Sequence, residues 1–334
     1  MGGAHTMNEQ GRDSTQFLVT DEHAGKTVLA VLRAMRPGES WSKLRTELQK
    51  ARVSLNGLAW LDEGRRVATG DVIAIGEQSL PSPPGTEAVR IHFADAHVVV
   101  VEKPSGMMTH RRPEERNWSA ARKARQPALD EAVIQLLVNR ALQRGQARPR
   151  GNIVRCVHRL DRDTSGLIVF ARNDEAELHL VDQFRRHLVH RVYWAVVHGA
   201  PRDGTIVTHI ARDRGDGRRG STGNSKIGQR AVTHIRGLER LGKYSLVECR
   251  LETGRTNQIR IHLSEKGHLV CGDVKYRQPF AAEMIEDESG APRLSLHAAE
   301  LGFIHPVTQD EVYFTMPLPP DMEQFVQKLR HKPH

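Results

Sequence analysis

Ten residues of mixed charge, HRLDRDTSGL at positions 158–167, stand directly before an apolar run and include groups that can do chemistry. Arg159 and Arg162 lie within two positions of Asp161, and neighbouring guanidinium groups keep a carboxylate ionised. Asp161 is therefore predicted to act as a nucleophile or a base. Asp161 and Asp163 are not expected to share a proton, because the arginines oppose it. The alternative is a salt-bridged turn without chemistry.

A second polar cluster, LETGRTNQIRIHL at positions 251–263, follows a predicted strand. A turn leads from that strand into a predicted helix that carries Ile259 and Leu263. Arg255 and Arg260 are five positions apart, so they cannot point the same way on one helix. One is expected to face an anionic ligand and the other a carboxylate inside the protein. The alternative is a basic helix face in solvent.

Tyr193 lies in a predicted strand, and strand alternation places it on one face with Ala195 and Val197. A tyrosine in such a place most often packs in the core with a hydrogen-bonded hydroxyl. The 18 histidines show no metal-ligand spacing, and no nucleophile elbow, P-loop or dinucleotide fingerprint occurs. A histidine-based hydrolase therefore lacks support, and we expect chemistry by side chains alone, without a cofactor or a metal.

The composition bounds the class of protein. The 334 residues contain 49 Lys plus Arg against 40 Asp plus Glu, a net charge of +9, which favours an anionic polymer as partner. The mean hydropathy is −0.51, and the aliphatic run at 98–101 is far too short to span a bilayer. Three scattered cysteines do not make a disulfide framework. We expect a cytoplasmic protein without a membrane segment.

The predicted elements divide the chain into an N-terminal segment, a small module, a linker and a larger domain. Residues 1–15 carry no periodicity and are expected to be disordered. Residues 16–78 predict a small α/β module, with a helix that ends near Pro37, a second helix capped by Ser40, and two short strands. The basic residues of this module gather where its second helix meets a strand: Lys43, Arg45, Lys50 and Arg52. Residues 79–86, SLPSPPGT, read as a linker.

Residues 87–330 predict a larger domain in which strands outnumber helices. A helix is expected at 129–142 and strands at 98–101, 167–170, 193–197, 245–251 and 311–314. Because regular strand–helix alternation is absent, the pattern favours an α+β fold on a mixed or antiparallel sheet. Two long basic segments, 107–156 and 212–230, are candidate substrate-selecting loops, the second of them expected to be mobile.

Taken in order, these clusters resemble the RluA family of RNA pseudouridine synthases. Residues 25–76 resemble, more weakly, a small RNA-binding module first named for a ribosomal protein. The segments that carry the family resemblance are VVVVEKPSG at 98–106, HRLDRDTSGL at 158–167, YWA at 193–195, LETGRTNQIRIHL at 251–263, Gly272-Asp273 with Tyr276, and LHAAELGFIHP at 296–306. The resemblance thus spans most of the chain beyond the linker.

The resemblance implies roles for individual residues. Asp161 matches the catalytic aspartate, Tyr193 the active-site tyrosine that stacks on the target base, and Arg260 the arginine that pairs with the aspartate. Substrate binding is expected from four further residues: Arg159, which helps to hold the flipped nucleotide, Arg255, Lys103 and His158. One departure is Asn257, where the family most often has His. A proton-transfer role at this position is doubtful, because an amide does not titrate.

The implied function is isomerisation of specific uridines in structured RNA, ribosomal or transfer, to pseudouridine. This reaction involves no net oxidation or hydrolysis, so it requires neither a redox cofactor nor a metal. The expected partner is RNA, bound by a monomer. The alternative is a non-catalytic RNA-binding or ribosome assembly factor on the same fold, against which the complete set of Asp161, Tyr193 and Arg260 argues.

Overall fold

The computed structural model describes residues 5–8, 12–81, 83–111, 113–147, 153–214, 218–279 and 282–331. The N-terminal elements are β1 (His5–Asn8), β2 (Arg12–Leu18), α1 (Val28–Met35), α2 (Trp41–Gln49), β3 (Val53–Leu55), β4 (Leu58–Ala59) and β5 (Val72–Gly76). The strands form an antiparallel sheet in the order β1-β2-β5-β3-β4. Apolar residues between Val19 and Ile75 form a core of their own beneath the two helices.

Side-chain caps fix the starts of both helices in this part of the chain. The Thr27 hydroxyl accepts a hydrogen bond from the Ala30 N–H at the start of α1. The Ser40 hydroxyl accepts one from the Lys43 N–H at the start of α2, which confirms the predicted cap. Such caps satisfy N–H groups that have no partner within the helix, and each stabilises a helix by about 1 kcal/mol.

The extreme N-terminus differs from the expectation of disorder over residues 1–15. β1 and β2 pair as an antiparallel hairpin, and β2 continues the sheet by pairing with β5. The pairing with β5 supplies hydrogen-bond partners that a search for periodicity within the segment does not reveal. Residues 1–4 and 9–11, also included in that expectation, lie outside the described residues.

The larger domain begins after a short 3-10 helix at Thr86–Ala88. Its first elements are β6 (Arg90–Ala94), β7 (Val98–Lys103), α3 (Ala120–Arg125), α4 (Leu129–Gln143), β8 (Arg155–Cys156), β9 (Ser165–Ala171), α5 (Asp174–Arg185) and β10 (His190–His198). The remaining elements are β11 (Gly204–Ala211), β12 (Gly220–Thr222), β13 (Gln229–Leu241), β14 (Tyr244–Leu251), α6 (Gln258–Glu265), β15 (Leu296–Ile304), β16 (Glu311–Thr315) and α7 (Pro320–Arg330). The predicted helix at 129–142 and all five predicted strands are present within these bounds.

The larger domain is built on one long mixed sheet. Its main path runs β12-β11-β13-β14-β10-β15-β9-β7-β6, with β16 paired to β15 and β8 paired to β9. Adjacent strands are antiparallel except β9 and β15, which are parallel. Together with the flanking helices, this arrangement confirms the α+β fold on a mixed sheet. Within the described part of the chain, no helix is both long and apolar enough to cross a bilayer.

A glycine allows the parallel pair to form. Gly166 has φ +119°, and a Cβ atom there would lie 2.2 Å from the Ala298 carbonyl oxygen. Only glycine combines that backbone conformation with such a close approach. The glycine of the first polar cluster therefore lets β9 pair with β15.

The two basic segments have more regular structure than expected. The first contains a 3-10 turn at Pro113–Glu115 followed by α3 and α4, and the second, predicted as a mobile loop, contains β12, which pairs with β11. Parts of both segments, residues 112, 148–152 and 215–217, lie outside the described residues. Their expected role in substrate selection stays a prediction.

The order of the central strands brings the polar clusters together. The first cluster precedes β9, the second follows β14, and Tyr193 lies on β10. β10 pairs with β14 on one side and with β15 on the other, and β15 in turn pairs with β9. Three segments distant in sequence thus meet around the middle of the sheet.

Candidate active site

A cavity of about 430 Å³ lies between the two polar clusters. Its lining comes from 157–164, the end of α5 with the residues after it, β10, and 251–260, with Leu296 from β15. Cavities of this size are typical of sites for small ligands. The structure brings six predicted site residues to this cavity: Asp161, Tyr193, Arg260, Arg159, Arg255 and His158.

The backbone around Asp161 is held by residues 103–109. The Lys103 ammonium donates to the carbonyl oxygens of Arg162 (2.8 Å), Met107 (2.7 Å) and Pro104 (3.0 Å). The Ser105 hydroxyl donates to the Asp163 carbonyl at 2.7 Å, and the Gly106 N–H donates to the Arg162 carbonyl at 2.8 Å. On the other side of Asp161, the Thr109 hydroxyl donates to the Leu160 carbonyl at 2.8 Å. The loop that carries Asp161 is therefore fixed on both its sides by the segment after β7.

This arrangement corrects the expectation that Lys103 binds substrate. Lys103 is fully buried and does not line the cavity. Burial lowers the pKa of Lys103 to about 7, although Asp163 and Asp161 act in the opposite direction. Because its ammonium is occupied by three carbonyl groups, Lys103 acts on the loop backbone and not on a ligand.

The Asp161 carboxylate is left without a direct partner. Among the residues that the structure describes, none makes a hydrogen bond or an ion pair with it. Arg162 instead pairs with Asp163 (Nε to Oδ1, 3.2 Å) and donates to the Leu55 carbonyl. Arg159 is exposed and lines the cavity. The salt-bridged turn considered from the sequence thus exists, but it involves Asp163, and the Asp161 carboxylate remains available at the cavity wall.

Arg260 does not pair with Asp161, which corrects the role implied by the family resemblance. Its guanidinium binds Asp273 through two hydrogen bonds, Nε to Oδ2 (2.6 Å) and Nη2 to Oδ1 (2.8 Å). Burial acts to lower the pKa of Arg260, but the Asp273 carboxylate outweighs it and raises the pKa, with Asp163 and Asp161 adding to that effect. Arg260 therefore brings a permanent positive charge to the cavity wall.

The helix that carries Arg260 begins with an unusual residue. Asn257 precedes α6 in the left-handed conformation (φ 59°), which asparagine tolerates better than most residues. Its amide donates to the Tyr276 hydroxyl at 2.9 Å, and its Oδ1 accepts from Arg260 Nη1 at 3.2 Å. Asn257 thus positions Arg260 by hydrogen bonds, in agreement with the doubt about a proton-transfer role at this position.

Arg255 lies in the turn before α6, so the helix does not separate it from Arg260 as expected. Its Nε donates to the Arg230 carbonyl at 3.1 Å, and its N–H donates to Gln258 Oε1 at 3.0 Å. Arg260 is directed inward to a carboxylate, whereas Arg255 remains half-buried at the cavity. The division of roles between the two arginines agrees with the sequence analysis, although both contribute to one wall.

Tyr193 presents its side chain at the base of the cavity and is only 8% exposed. Burial raises the pKa of the Tyr193 phenol, the nearby Asp161 raises it further, and Arg191 acts in the opposite direction. The phenol is therefore neutral at physiological pH. A neutral, buried aromatic ring next to a carboxylate suits the wall against which a planar base would stack.

Four aromatic or basic residues that line the cavity were not expected from the sequence: Phe184, Arg185, His187 and Arg191. Arg191 Nη2 donates to the Glu252 carbonyl at 3.0 Å, and the guanidinium carbon lies 5.6 Å from the centre of the Phe184 ring. Strand alternation places Arg191 on the same face as Tyr193, so that signal was present in the sequence. The position of Phe184 depends on how α5 packs on the sheet, for which the sequence has no local signal.

His158 supports the cavity as a neutral side chain. Its Nε2 accepts a hydrogen bond from the Val169 N–H at 3.1 Å, and its ring stacks on Phe184 with centroids 4.3 Å apart. Burial lowers the pKa of His158 to about 3, and Arg191 adds to that effect. Since Nε2 is occupied by a backbone donor, His158 can offer only its other nitrogen to a ligand.

Two buried histidines near the sheet centre predict a loss of stability in acid. Burial lowers the pKa of His262 to about 4 and that of His297 to about 3, whereas an unfolded histidine titrates near 6.5. Between these values the unfolded chain binds protons that the folded chain does not, so the free energy of unfolding falls as pH falls. Each histidine is expected to remove about 2 kcal/mol between pH 7.5 and pH 5.

Denaturant unfolding at a series of pH values checks this expectation. The two ring nitrogens of His262 form hydrogen bonds with the hydroxyls of Thr208 and Thr233, each at 2.9 Å. Replacement by Gln keeps a group that can hydrogen-bond but does not titrate, so His262→Gln should reduce the fall in unfolding free energy between pH 7.5 and pH 5 by about 2 kcal/mol. An unchanged slope in this variant would contradict the assignment of a neutral His262.

A group of possible metal ligands lies away from the cavity. Within the described residues, His198, Cys271 and Asp287 bring their ligand atoms within 4.8 Å of one another. Asp287 already accepts hydrogen bonds from His198 Nε2 (3.0 Å) and the Gly272 N–H (2.6 Å). Burial raises the pKa of the Cys271 thiol, so the thiolate that binds metal is disfavoured. This group is explained by a structural His–Asp pair.

Comparisons with known proteins identify the family. A model of the family "RNA pseudouridylate synthase" matches residues 97–265, about half of the chain, which include both polar clusters and Tyr193. An "Uncharacterized RNA pseudouridine synthase YlyB" of Bacillus subtilis is 36% identical over 87% of this chain and 90% of its own. A "Ribosomal large subunit pseudouridine synthase D" of Zymomonas mobilis is 33% identical over 92% of this chain and 95% of its own.

A solved structure shares the fold. The protein titled "Human RNA Pseudouridylate Synthase Domain Containing 4" superposes with a TM-score of 0.55 and 25% identity, over 72% of this chain and 92% of its own. The sequence relatives align along nearly their whole length, so the similarity covers the complete arrangement around the cavity. The chain therefore belongs to the RNA pseudouridylate synthase family and is an isomerase that acts on RNA.

Proposed function

We propose that this protein converts specific uridines of large-subunit ribosomal RNA to pseudouridine, with Asp161 as the nucleophile or base. The observation that carries the proposal is the Asp161 carboxylate, which has no direct partner in the described part of the chain and lines the cavity together with Tyr193 and several guanidinium groups. Several relatives are named ribosomal large subunit pseudouridine synthase D, which favours ribosomal RNA over transfer RNA as the substrate.

The reaction needs few groups. The bond between C1′ of the ribose and N1 of the base breaks, the base turns, and a bond forms between C1′ and C5. A proton leaves C5 and another reaches N1, so the reaction is balanced without an oxidant, a reductant or water as a reactant. Asp161 either attacks the nucleoside or accepts a proton from it. Arg260, held by Asp273, supplies a fixed positive charge beside the charge that develops.

The cavity requires the uridine to leave its helix. Extrusion of a base costs about a few kcal/mol, and stacking on an aromatic side chain such as Tyr193 returns about 1–3 kcal/mol. Arg159 and Arg255, at the more exposed part of the cavity wall, are suited to the phosphates on either side of the flipped nucleotide. His158 is placed to offer its remaining ring nitrogen to the base.

We also propose that residues 16–78 bind RNA through their basic surface. Three of the four predicted basic residues form ion pairs within this module: Lys43 with Glu39, Arg45 with Glu63, and Arg52 with Glu47. The pair of Arg45 and Glu63 is exposed on both sides, and such pairs contribute about 0–1 kcal/mol, so a phosphate can replace Glu63 at little cost. We propose further that the protein acts as a monomer in the cytoplasm. A purely non-catalytic RNA binder is not favoured, because a free carboxylate in the cavity would only repel its ligand.

Pseudouridine mapping of total RNA from cells with and without this gene tests the proposal. We expect specific sites in large-subunit ribosomal RNA to lose pseudouridine in the deletion, and the purified protein to restore them on a transcript of that RNA. The transfer RNAs of the same cells serve as the control, because their pseudouridines should be unchanged in the deletion. Loss of pseudouridine from transfer RNA alone would contradict the assigned substrate, and an unchanged map would contradict the proposed function.

A further inference from the structure

The small module, residues 16–78, contacts the loop that carries Asp161. Arg162 follows Asp161 directly, and its Nη2 donates to the Leu55 carbonyl of the module at 3.0 Å. The Arg162 guanidinium carbon lies 4.8 Å from the centre of the Trp60 ring, a cation–π distance. The same side chain pairs with Asp163, and its own carbonyl accepts from Lys103. Arg162 thus links the module to the loop that holds Asp161.

A second contact joins the module to the residues that hold Arg260. The Lys275 ammonium lies 3.0 Å from Asp71 of the module, and both side chains are largely buried. The Lys275 N–H donates to Asp273 Oδ1 at 2.9 Å, and that carboxylate binds Arg260. Asp71 of the module is therefore connected, through Lys275 and the Asp273 carboxylate, to the Arg260 guanidinium at the cavity wall.

A third set of contacts anchors the module away from the cavity. Arg122 binds both carboxylate oxygens of Asp62, at 2.9 Å and 3.0 Å, and Arg65 pairs with Glu115 at 3.0 Å. Asp62 and Glu115 are almost fully buried, and ion pairs of buried carboxylates are costly to break. None of these four residues lines the cavity. These ion pairs hold the module through side chains other than Arg162 and Lys275, although Arg65 and Arg162 both lie over the Trp60 ring.

We propose that Arg162 and Lys275 are positioning residues through which the docked module fixes the geometry of Asp161 and Arg260. The proposal rests on the proposed function, since it assumes that these two groups act on the nucleotide. Catalytic groups need accurate placement, and a displacement of about 1 Å can cost about 100-fold in rate. The module then has a part in the chemical step, separate from any part in holding RNA.

The pair formed by Asp71 and Lys275 offers a direct test, because one partner belongs to the module and the other to the larger domain. We would measure the single-turnover rate at saturating RNA, the RNA dissociation constant and the melting temperature of the full-length protein. Asp71→Asn and Lys275→Met are each expected to lower the rate about tenfold, with less than about a twofold change in RNA affinity. The double variant is expected to be no slower than either single variant, because both changes remove one interaction.

Two controls separate positioning from loss of the fold. Lys275→Arg keeps the ion pair and should retain at least about half of the wild-type rate, whereas a rate as low as that of Lys275→Met would contradict the proposal. Asp62→Asn weakens an anchor of similar type away from the cavity and should change the rate less than about twofold. A tenfold loss in Asp62→Asn at an unchanged melting temperature would overturn the local route through Lys275.

The remaining outcomes decide against the proposal. Unchanged rates in Asp71→Asn and Lys275→Met would show that the module does not act on the chemical step. Losses that multiply in the double variant would show that the two residues act separately. Failure of the proposed function looks different, because the wild-type protein itself would then form no pseudouridine in the same assay.

Discussion

Asp161→Asn is expected to lower pseudouridine formation by at least about 1,000-fold while the protein still binds RNA. The amide has the size and shape of the carboxylate, but it is neither a nucleophile nor a base. No hydrogen bond or ion pair to Asp161 exists among the described residues, so the substitution breaks no direct contact in that part of the folded protein and removes only longer-range attraction to Arg260 and Lys103. A loss of 1,000-fold in rate corresponds to about 4 kcal/mol at the transition state.

The measurement combines single-turnover kinetics, RNA binding and thermal unfolding. We expect the RNA affinity of Asp161→Asn to be unchanged or slightly higher, since a negative charge near an anionic ligand has been removed. Asp163→Asn makes the same chemical change two positions away, at a carboxylate that pairs with Arg162, and should retain at least about a tenth of the activity. Pseudouridine formation by Asp161→Asn at the wild-type rate would remove this residue from the mechanism.

Arg260→Met is expected to destabilise the protein by about 3–5 kcal/mol. The side chain of Asp273 is 0% exposed, and the substitution would leave its carboxylate buried without the guanidinium that neutralises it. Two backbone N–H groups, those of Lys275 and Tyr276, would remain as hydrogen-bond donors but cannot supply a full charge. For a domain of this size the loss corresponds to a decrease of about 10 °C in melting temperature.

A second variant separates stability from chemistry. Arg260→Met combined with Asp273→Asn removes both charges of the pair, so at least about half of the lost stability should return. Activity should not return, because the cavity still lacks the positive charge of Arg260. A decrease in melting temperature below about 3 °C for Arg260→Met would contradict the role of this pair, and recovery of activity in the double variant would contradict a direct role of Arg260.

The sequence alone indicated much of the fold because the signals involved are local. Apolar runs predict the strands β7, β9, β10, β14 and β16, and Ser40 predicts the start of α2. The two polar clusters could also be recognised, since both lie directly beside apolar strands. The mixed sheet could therefore be predicted, and six of the seven candidate site residues line one cavity.

What the tertiary structure decided are the contacts between distant segments. The family resemblance assigned Asp161 as the partner of Arg260, but Asp273, 13 positions from Arg260, reaches its guanidinium. The family resemblance implied a substrate-binding role for Lys103, yet its ammonium donates to three carbonyl groups inside the protein. The N-terminal hairpin was missed because its partner strand β5 lies more than fifty residues further on.

The physical reason is a difference in range. Alternation, capping and helical spacing depend on neighbours within a few residues, so composition and order are enough to determine them. Which carboxylate meets which guanidinium depends on how strands and loops pack, and burial then makes one partner far more favourable than the others. The sequence by itself determined which polar residues lie at the ends of the strands. Only the tertiary structure decided that Asp161 has no hydrogen-bond or ion-pair partner among the described residues, while Arg260 and Lys103 are held by other groups.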